Sequence, residues 1–215
     1  MELQCSSSSS SGQLILPESL KLMPLFSLGL MKLPCFRTDS RADARAVWMS
    51  RIISMPIDRL LPAVHPRFFV IPQDTKEESE KVSVPQSQPL SAEHLETSGM
   101  FLLENGFDLF IFIGRDVAPS TVEQLLGTGS IDSIDPSTVG DIPNLNSALS
   151  NHLRRIVGEL RRQRRSYMHV RLVKKGHTHE TLFLSALVED RHPLSGMSYV
   201  EYLCHLHRLI QNKMT

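Results

Sequence analysis

Cysteine is scarce in this 215-residue chain, and the three residues present, Cys5, Cys35 and Cys204, stand far apart. An odd number without CxxC spacing supports neither a disulfide framework nor a zinc knuckle. Net charge is missing too, since 23 basic side chains balance 23 acidic ones. Nothing in the overall balance therefore calls for a nucleic acid or an anionic membrane as partner. No Asn-x-Ser/Thr acceptor occurs. With so few cysteines, this fits a reducing, cytosolic compartment.

A secretory leader is not expected, because Glu2 stands where an n-region would carry Lys or Arg and the run Ser6 to Ser11 is too polar for an h-region. The most apolar window, Leu14 to Pro34, is broken by Glu18, Lys21 and Lys32 and by Pro17, Pro24 and Pro34. A spanning helix takes about 20 mostly uncharged residues, and a charge at mid-bilayer costs roughly 3 kcal/mol. No membrane span is expected. Catalytic signatures are lacking as well: there is no GxSxG, HExxH, Walker A or GxGxxG. Gly127-Thr128-Gly129 has neither the preceding strand nor the following glycine that phosphate binding needs.

What is present is a hydrophobic fraction of 41%, enough for a packed core. The serines near the start read as a disordered lead over residues 1–12. A helical segment follows, with Pro17 early and Pro24 as a kink, and then a second helix from Ser40 to Met55, capped by Asp39 or Ser40. Ala46, Trp48, Met49, Ile52 and Ile53 supply its apolar content. Residues 56–72 carry four prolines and read as extended chain. Residues 73–89, rich in Glu, Lys, Ser and Gln, read as a solvated linker and a domain boundary.

Beyond the linker, Met100 to Glu104 and Asp108 to Ile113 are apolar runs joined through Asn105-Gly106-Phe107, a hairpin signal because Asn and Gly tolerate positive φ. Leu109 to Ile113 is continuously apolar, which predicts a strand covered on both faces. A short helix is expected near Ser120 to Leu126. Leu149, Leu153, Ile156, Val157 and Leu160 form one stripe on a helix from Ser147 to Arg165. Tyr199, Leu203, Leu206, Ile210 and Met214 form another on Ser198 to Met214. Between them, Met168 to Val173 and Thr181 to Val188 read as a second hairpin across Lys174 to His179. Strands and helices mixed without strict alternation or internal repeat predict an α+β layer fold with helices on a small sheet.

Three constellations could carry function. Asn151 to Lys175 holds nine Lys or Arg against one Glu. Arg154, Arg155, Arg161, Arg162 and Arg165 all lie off the apolar stripe, either as a solvated face or as a surface for an acidic partner. No aromatic interleaving suggests nucleic acid. Histidines form the second set: His169, His177, His179, His192, His205 and His207. His177 and His179 would share one face if extended, a metal half-site lacking further ligands, or else they are exposed turn residues. His205 and His207 flank the last stripe and read as packing. The third is Glu189-Asp190 at the end of a strand, a structural cap or a salt bridge to Arg191 rather than an acid–base pair. No catalytic residue, metal ligand or cofactor contact is assigned.

Several strings then carry a resemblance: GQLILPESLKLMPLF, HPRFF, GMFLLENGFDLFIFIG, RRQRRSYM and VEDRHPLSGMSYVEYLCHLHRLIQ. Together they resemble the C-terminal part of the Sec-twenty-four family, the cargo adaptor of the COPII inner coat, from Gly12 onward. The resemblance implies a small all-α segment over 13–72, part of the family's helical domain, and a gelsolin-like sheet flanked by helices over 90–215, with the last helix included. It implies partnership with a sister inner-coat subunit and with cargo proteins. It also implies a peripheral cytoplasmic place on endoplasmic reticulum membrane and COPII vesicles, on the route to the Golgi. The family's zinc-binding, trunk and β-barrel domains lie upstream of the part matched, so no cofactor is expected here, and the principal cargo pockets are not among these residues. Where the family usually has Trp before Val-Gly, this chain has Phe112-Ile113-Gly114. Gelsolin modules proper bind calcium and actin, but no convergent acidic set accompanies Asp108 and Asp116, and neither property is carried over. A coat component is the expected function. An actin-binding module outside the coat is the alternative, and an enzyme using His177, His179, Glu189 or Asp190 is a third reading.

Overall fold

The computed structural model describes residues 16–73, 84–191 and 196–214. The expected serine-rich lead, most of the expected linker and His192 lie outside these residues. The chain is built on one four-stranded sheet in sequence order, β1 (Arg67–Val70), β2 (Met100–Glu104), β3 (Asp108–Ile113) and β4 (His169–Val173). β1 to β3 pair antiparallel, and β3 and β4 are parallel. The parallel pair needs a crossover, supplied by α4 (Pro119–Leu126) and α5 (Ala148–Arg164). The β2–β3 hairpin forms as the sequence predicts. Asn105 Oδ1 accepts from the amides of Phe107 and Asp108 at 3.0 and 2.8 Å, and Gly106 adopts φ +83°.

Both sheet faces are covered, as the continuous apolar run in β3 requires. On one face Leu102, Leu109, Ile111, Val170 and Leu172 meet the stripe of α5, whose Leu149, Leu153, Ile156, Val157 and Leu160 are all buried. On the other, Phe68, Phe101, Leu103 and Phe110 meet Leu28, Phe183, Leu187 and Val188. Phe183 stacks on Phe112 at 5.4 Å between ring centres. The aromatic rings of this second face tie α6 (Thr178–Ser185) to the sheet through Phe183.

Four sequence expectations are corrected. Thr181 to Val188 does not form a strand: α6 stands there, so β4 has no hairpin partner on that side. His177 Nδ1 accepts from the amide of His179, and Glu180 reaches back to the amide of Gly176 at 2.7 Å. This reciprocal capping starts a helix, and Phe183 and Leu187, four residues apart, face the core. Residues 56–72 are not simply extended, because α3 (Ile57–Val64) precedes β1 and contains Pro62. Proline lacks the amide that would bond the carbonyl of Asp58, and Arg164 Nη1 donates to that carbonyl instead, at 2.8 Å. Pro24 does not kink a helix; it stands in the first turn of α1 (Met23–Lys32), where a missing N–H costs nothing. Finally, α2 runs Ala42–Ser54 without a side-chain cap, and Asp39 pairs with Arg37. Of its expected apolar set, Trp48 and Ile52 pack against Leu33, Cys35 and Val64, whereas Ile53 is 78% exposed.

The helical segment and the sheet share backbone contacts. β1 lies before the expected linker, yet its ladder runs to β2, with Arg67 opposite Glu104 and Phe69 opposite Leu102. α1 crosses α3 at Gly29, where a Cβ would sit 2.3 Å from the carbonyl oxygen of Val64. The last helix, α7 (Tyr199–Met214), packs on α1 with half-buried Tyr199, Tyr202, Leu203 and Leu206.

Candidate partner surface

The basic surface is organised by α5. Ser147 caps its start, accepting from the amide of Ser150 at 3.1 Å, and Arg165 ends it at φ +50°, with its amide turned back to Arg161 and Arg162. Arg154, Arg155, Arg162 and Arg165 are exposed, as their positions off the stripe require. Arg161 is fixed. Its guanidinium donates to the carbonyl of Met168 at 2.7 and 3.1 Å, pairs with Asp141 at 2.8 Å and lies 4.2 Å over the ring of Tyr167. Arg162 pairs with Glu159, one turn back, at 2.7 Å. Hydrogen bonds from Arg162 and then Gln163 pull the Glu159 carboxyl down to about 2. Arg154 donates to the side chain of Asn144. Between α5 and the chain near Asp141 runs an open groove of about 450 Å³, lined by Asp141, Asn151, Arg154, Arg155, Gly158 and Arg161.

Arg164, inside the same basic run, points the other way. The Glu104 carboxylate is 0% exposed and accepts from Arg164 at 3.0 Å and from Arg67 at 2.7 Å. With its bond to the Asp58 carbonyl, Arg164 joins α5, the end of β2 and α3. A carboxylate so deeply placed is tolerable only because two guanidinium groups meet it. The signal in the sequence was a lone Glu ending an apolar strand, but its partners sit in distant segments.

The histidines do not gather. His177 caps α6, and its ring stands 4.3 Å from that of His179. His179 is not an exposed turn residue. It is 7% exposed, its Nδ1 lies 3.0 Å from the carbonyl of Leu172, and burial holds its pKa below the ordinary value. His169 is exposed and edge-on to Tyr167, His205 is exposed and His207 half-buried. Among the described residues no three His, Cys, Asp or Glu groups are placed to hold a metal ion.

Glu189 and Asp190 form a junction. Glu189 accepts from the amide of Leu90 at 2.8 Å, and Asp190 accepts from the Ser91 hydroxyl and the Ala92 amide at 2.7 Å each. The structural cap is thus observed, while Arg191 pairs with Glu201 instead. Lys32 at the end of α1, unremarked in the sequence, is 7% exposed and donates to the carbonyls of Val188 and Asp190 at 2.7 and 2.6 Å. Burial lowers its pKa to about 8, against the opposing pull of Asp190. The amide of Tyr199 closes the junction on the carbonyl of Glu189, so α1, the chain at 90–92 and the start of α7 meet here.

The Sec23/Sec24 helical domain family matches residues 2–62, and the gelsolin repeat family matches residues 81–156. "Protein transport protein SEC24 C" of Arabidopsis thaliana is 40% identical over 210 residues, which cover 98% of this chain and 19% of that protein. The human "Protein transport protein Sec24C" is 34% identical over 213 residues, again 98% of this chain and 19% of that protein. The crystal structure of the human COPII-coat protein Sec24c matches with TM-score 0.84 and 32% identity, over 95% of this chain and 27% of that one. The chain belongs to the Sec24 family. It carries the helical and gelsolin-like region and spans 19% of the length of the two Sec24 relatives just named. In this Sec24 region β1 falls between the two matched segments, and the sheet joins them. No described helix is long and apolar enough to cross a membrane.

Proposed function

We propose that the chain supplies the helical and gelsolin-like part of a COPII coat subunit that serves as cargo adaptor in transport from the endoplasmic reticulum to the Golgi. The observation that carries this reading is the match to a COPII-coat protein over 95% of the chain at 32% identity and TM-score 0.84. The partners are a sister inner-coat subunit and cargo proteins. Its place is cytoplasmic, peripheral on endoplasmic reticulum membrane and COPII vesicles. The role is one of holding and joining rather than catalysis, with no cofactor bound by this region. The junctions support that reading, since Glu189, Asp190 and Glu104 are committed to backbone amides, a hydroxyl and guanidinium groups that fix the fold. An actin-binding module outside the coat is not favoured, because the relatives are transport proteins along the whole chain. Immunoprecipitation of the protein from cells tests the proposal. Co-recovery of the sister coat subunit and location at endoplasmic reticulum exit sites are expected. Recovery of neither would end it.

A further inference from the structure

We propose that the outer side of α5 is a docking surface for an extended, acidic polypeptide segment of a protein partner. The chain is neutral overall, yet Asn151 to Lys175 carries nine basic residues against one acidic residue. The structure divides that excess: Arg164 is taken into the fold by Glu104, while Arg154, Arg155, Arg162 and Arg165 stay on the solvent side. Arg154 and Arg155 border the groove beside Asp141. Gly158 leaves its floor open, since a Cβ there would meet nothing within 4 Å. Arg161 forms a rigid wall, held by the Met168 carbonyl, Asp141 and the face of Tyr167. From Arg154 to Arg165 the helix rises about 16 Å, the length of roughly five extended residues. A carboxylate at alternate positions of such a segment could meet successive guanidinium groups in bidentate geometry. The competing Glu159–Arg162 pair lies one turn apart with the Arg162 side chain 75% exposed, so solvent screens it and the guanidinium stays open to a second carboxylate.

The shape favours a polypeptide over a membrane. A lipid surface is flat and rewards exposed apolar anchors, whereas this face carries an open groove beside Asp141, and among the described residues Tyr167 is the one large exposed hydrophobic residue between Val70 and Leu182. The docking proposal predicts peptide binding by this chain, whereas the coat reading predicts recovery of a coat subunit, so the two proposals fail separately.

The test is fluorescence anisotropy of the 215-residue chain with a labelled oligoglutamate peptide of about eight residues, at about 50 and 200 mM salt. Oligolysine serves as a control, and sedimentation with phosphatidylserine vesicles runs in parallel. Saturable oligoglutamate binding is expected. It should weaken about tenfold or more in the double variant Arg154→Glu, Arg155→Glu, whose melting temperature is unchanged, and not in Arg41→Glu, Arg45→Glu at the start of α2. Absence of oligoglutamate binding overturns the proposal. So does an equal loss in the α2 variant, which would mean diffuse charge attraction, and so does vesicle binding without peptide binding.

Discussion

Arg162 and Arg164 stand two residues apart on α5, yet one is 75% exposed with a single surface partner and the other is 14% exposed with bonds to β2 and α3. The same side chain is a solvated charge on one side of the helix and a structural bolt on the other. Residue type therefore does not set the role; the angular position on the helix does, together with what the fold brings opposite. Arg162 meets only its own helix. Arg164 meets a buried carboxylate and a carbonyl left without a donor by Pro62.

The comparison can be broken by the same substitution at the two sites. Arg164→Met should destabilise the chain by about 3 kcal/mol in chemical denaturation, because Glu104 keeps only Arg67 and the Asp58 carbonyl loses its donor. Arg162→Met should leave the denaturation midpoint indistinguishable from wild type. Equal effects would show that burial does not separate the two arginines. On the packed side of the same helix, Ile156→Ala should cost roughly 2 to 5 kcal/mol, since Ile156 is 1% exposed and packs against the sheet. A loss no larger than that of Arg162→Met would overturn the assignment of faces.

A smaller effect concerns pH. Burial holds His65 and His179 below the ordinary imidazole pKa in the folded chain. The unfolded chain then binds more protons in the window just below about 6.5. Stability from these groups is thus fully present above that pH and falls as the pH drops through their folded values. Thermal melts at neutral and mildly acidic pH should show the loss, and His179→Asn should reduce it. A melting temperature that rises on acidification would contradict the sign. The smallest expected change is Arg165→Ala, which removes an exposed side chain from a left-handed cap and should leave the melt close to wild type.

Periodicity made α5 and α7 legible in the sequence, and Asn105-Gly106 made the β2–β3 hairpin legible. Each is governed by residues within a few positions of one another. α6 was misread because Thr181 to Val188 is short and apolar, a pattern that suits a strand as well as a helix. The cue that resolves it, His177 and Glu180 as reciprocal caps, lies just before the run. α3 was missed because prolines dominate the local signal, and β1, read as extended, was not foreseen as a sheet strand because its partners lie at Met100–Glu104. The arginine face was visible as charge, but not which arginines it would keep.

By itself the sequence determined the neutral balance, the amphipathic stripes, the hairpin turn and the family strings, all local properties of spacing and residue type. Only the tertiary structure decided that Lys32 closes on Val188 and Asp190, that Glu104 draws in Arg67 and Arg164, and that β1 completes a sheet with strands 30 or more positions further along. The Lys32 and Glu104 side-chain contacts among them join segments 37 to 158 residues apart. A buried charge finds its partner through the fold, and no local rule of sequence can name that partner in advance.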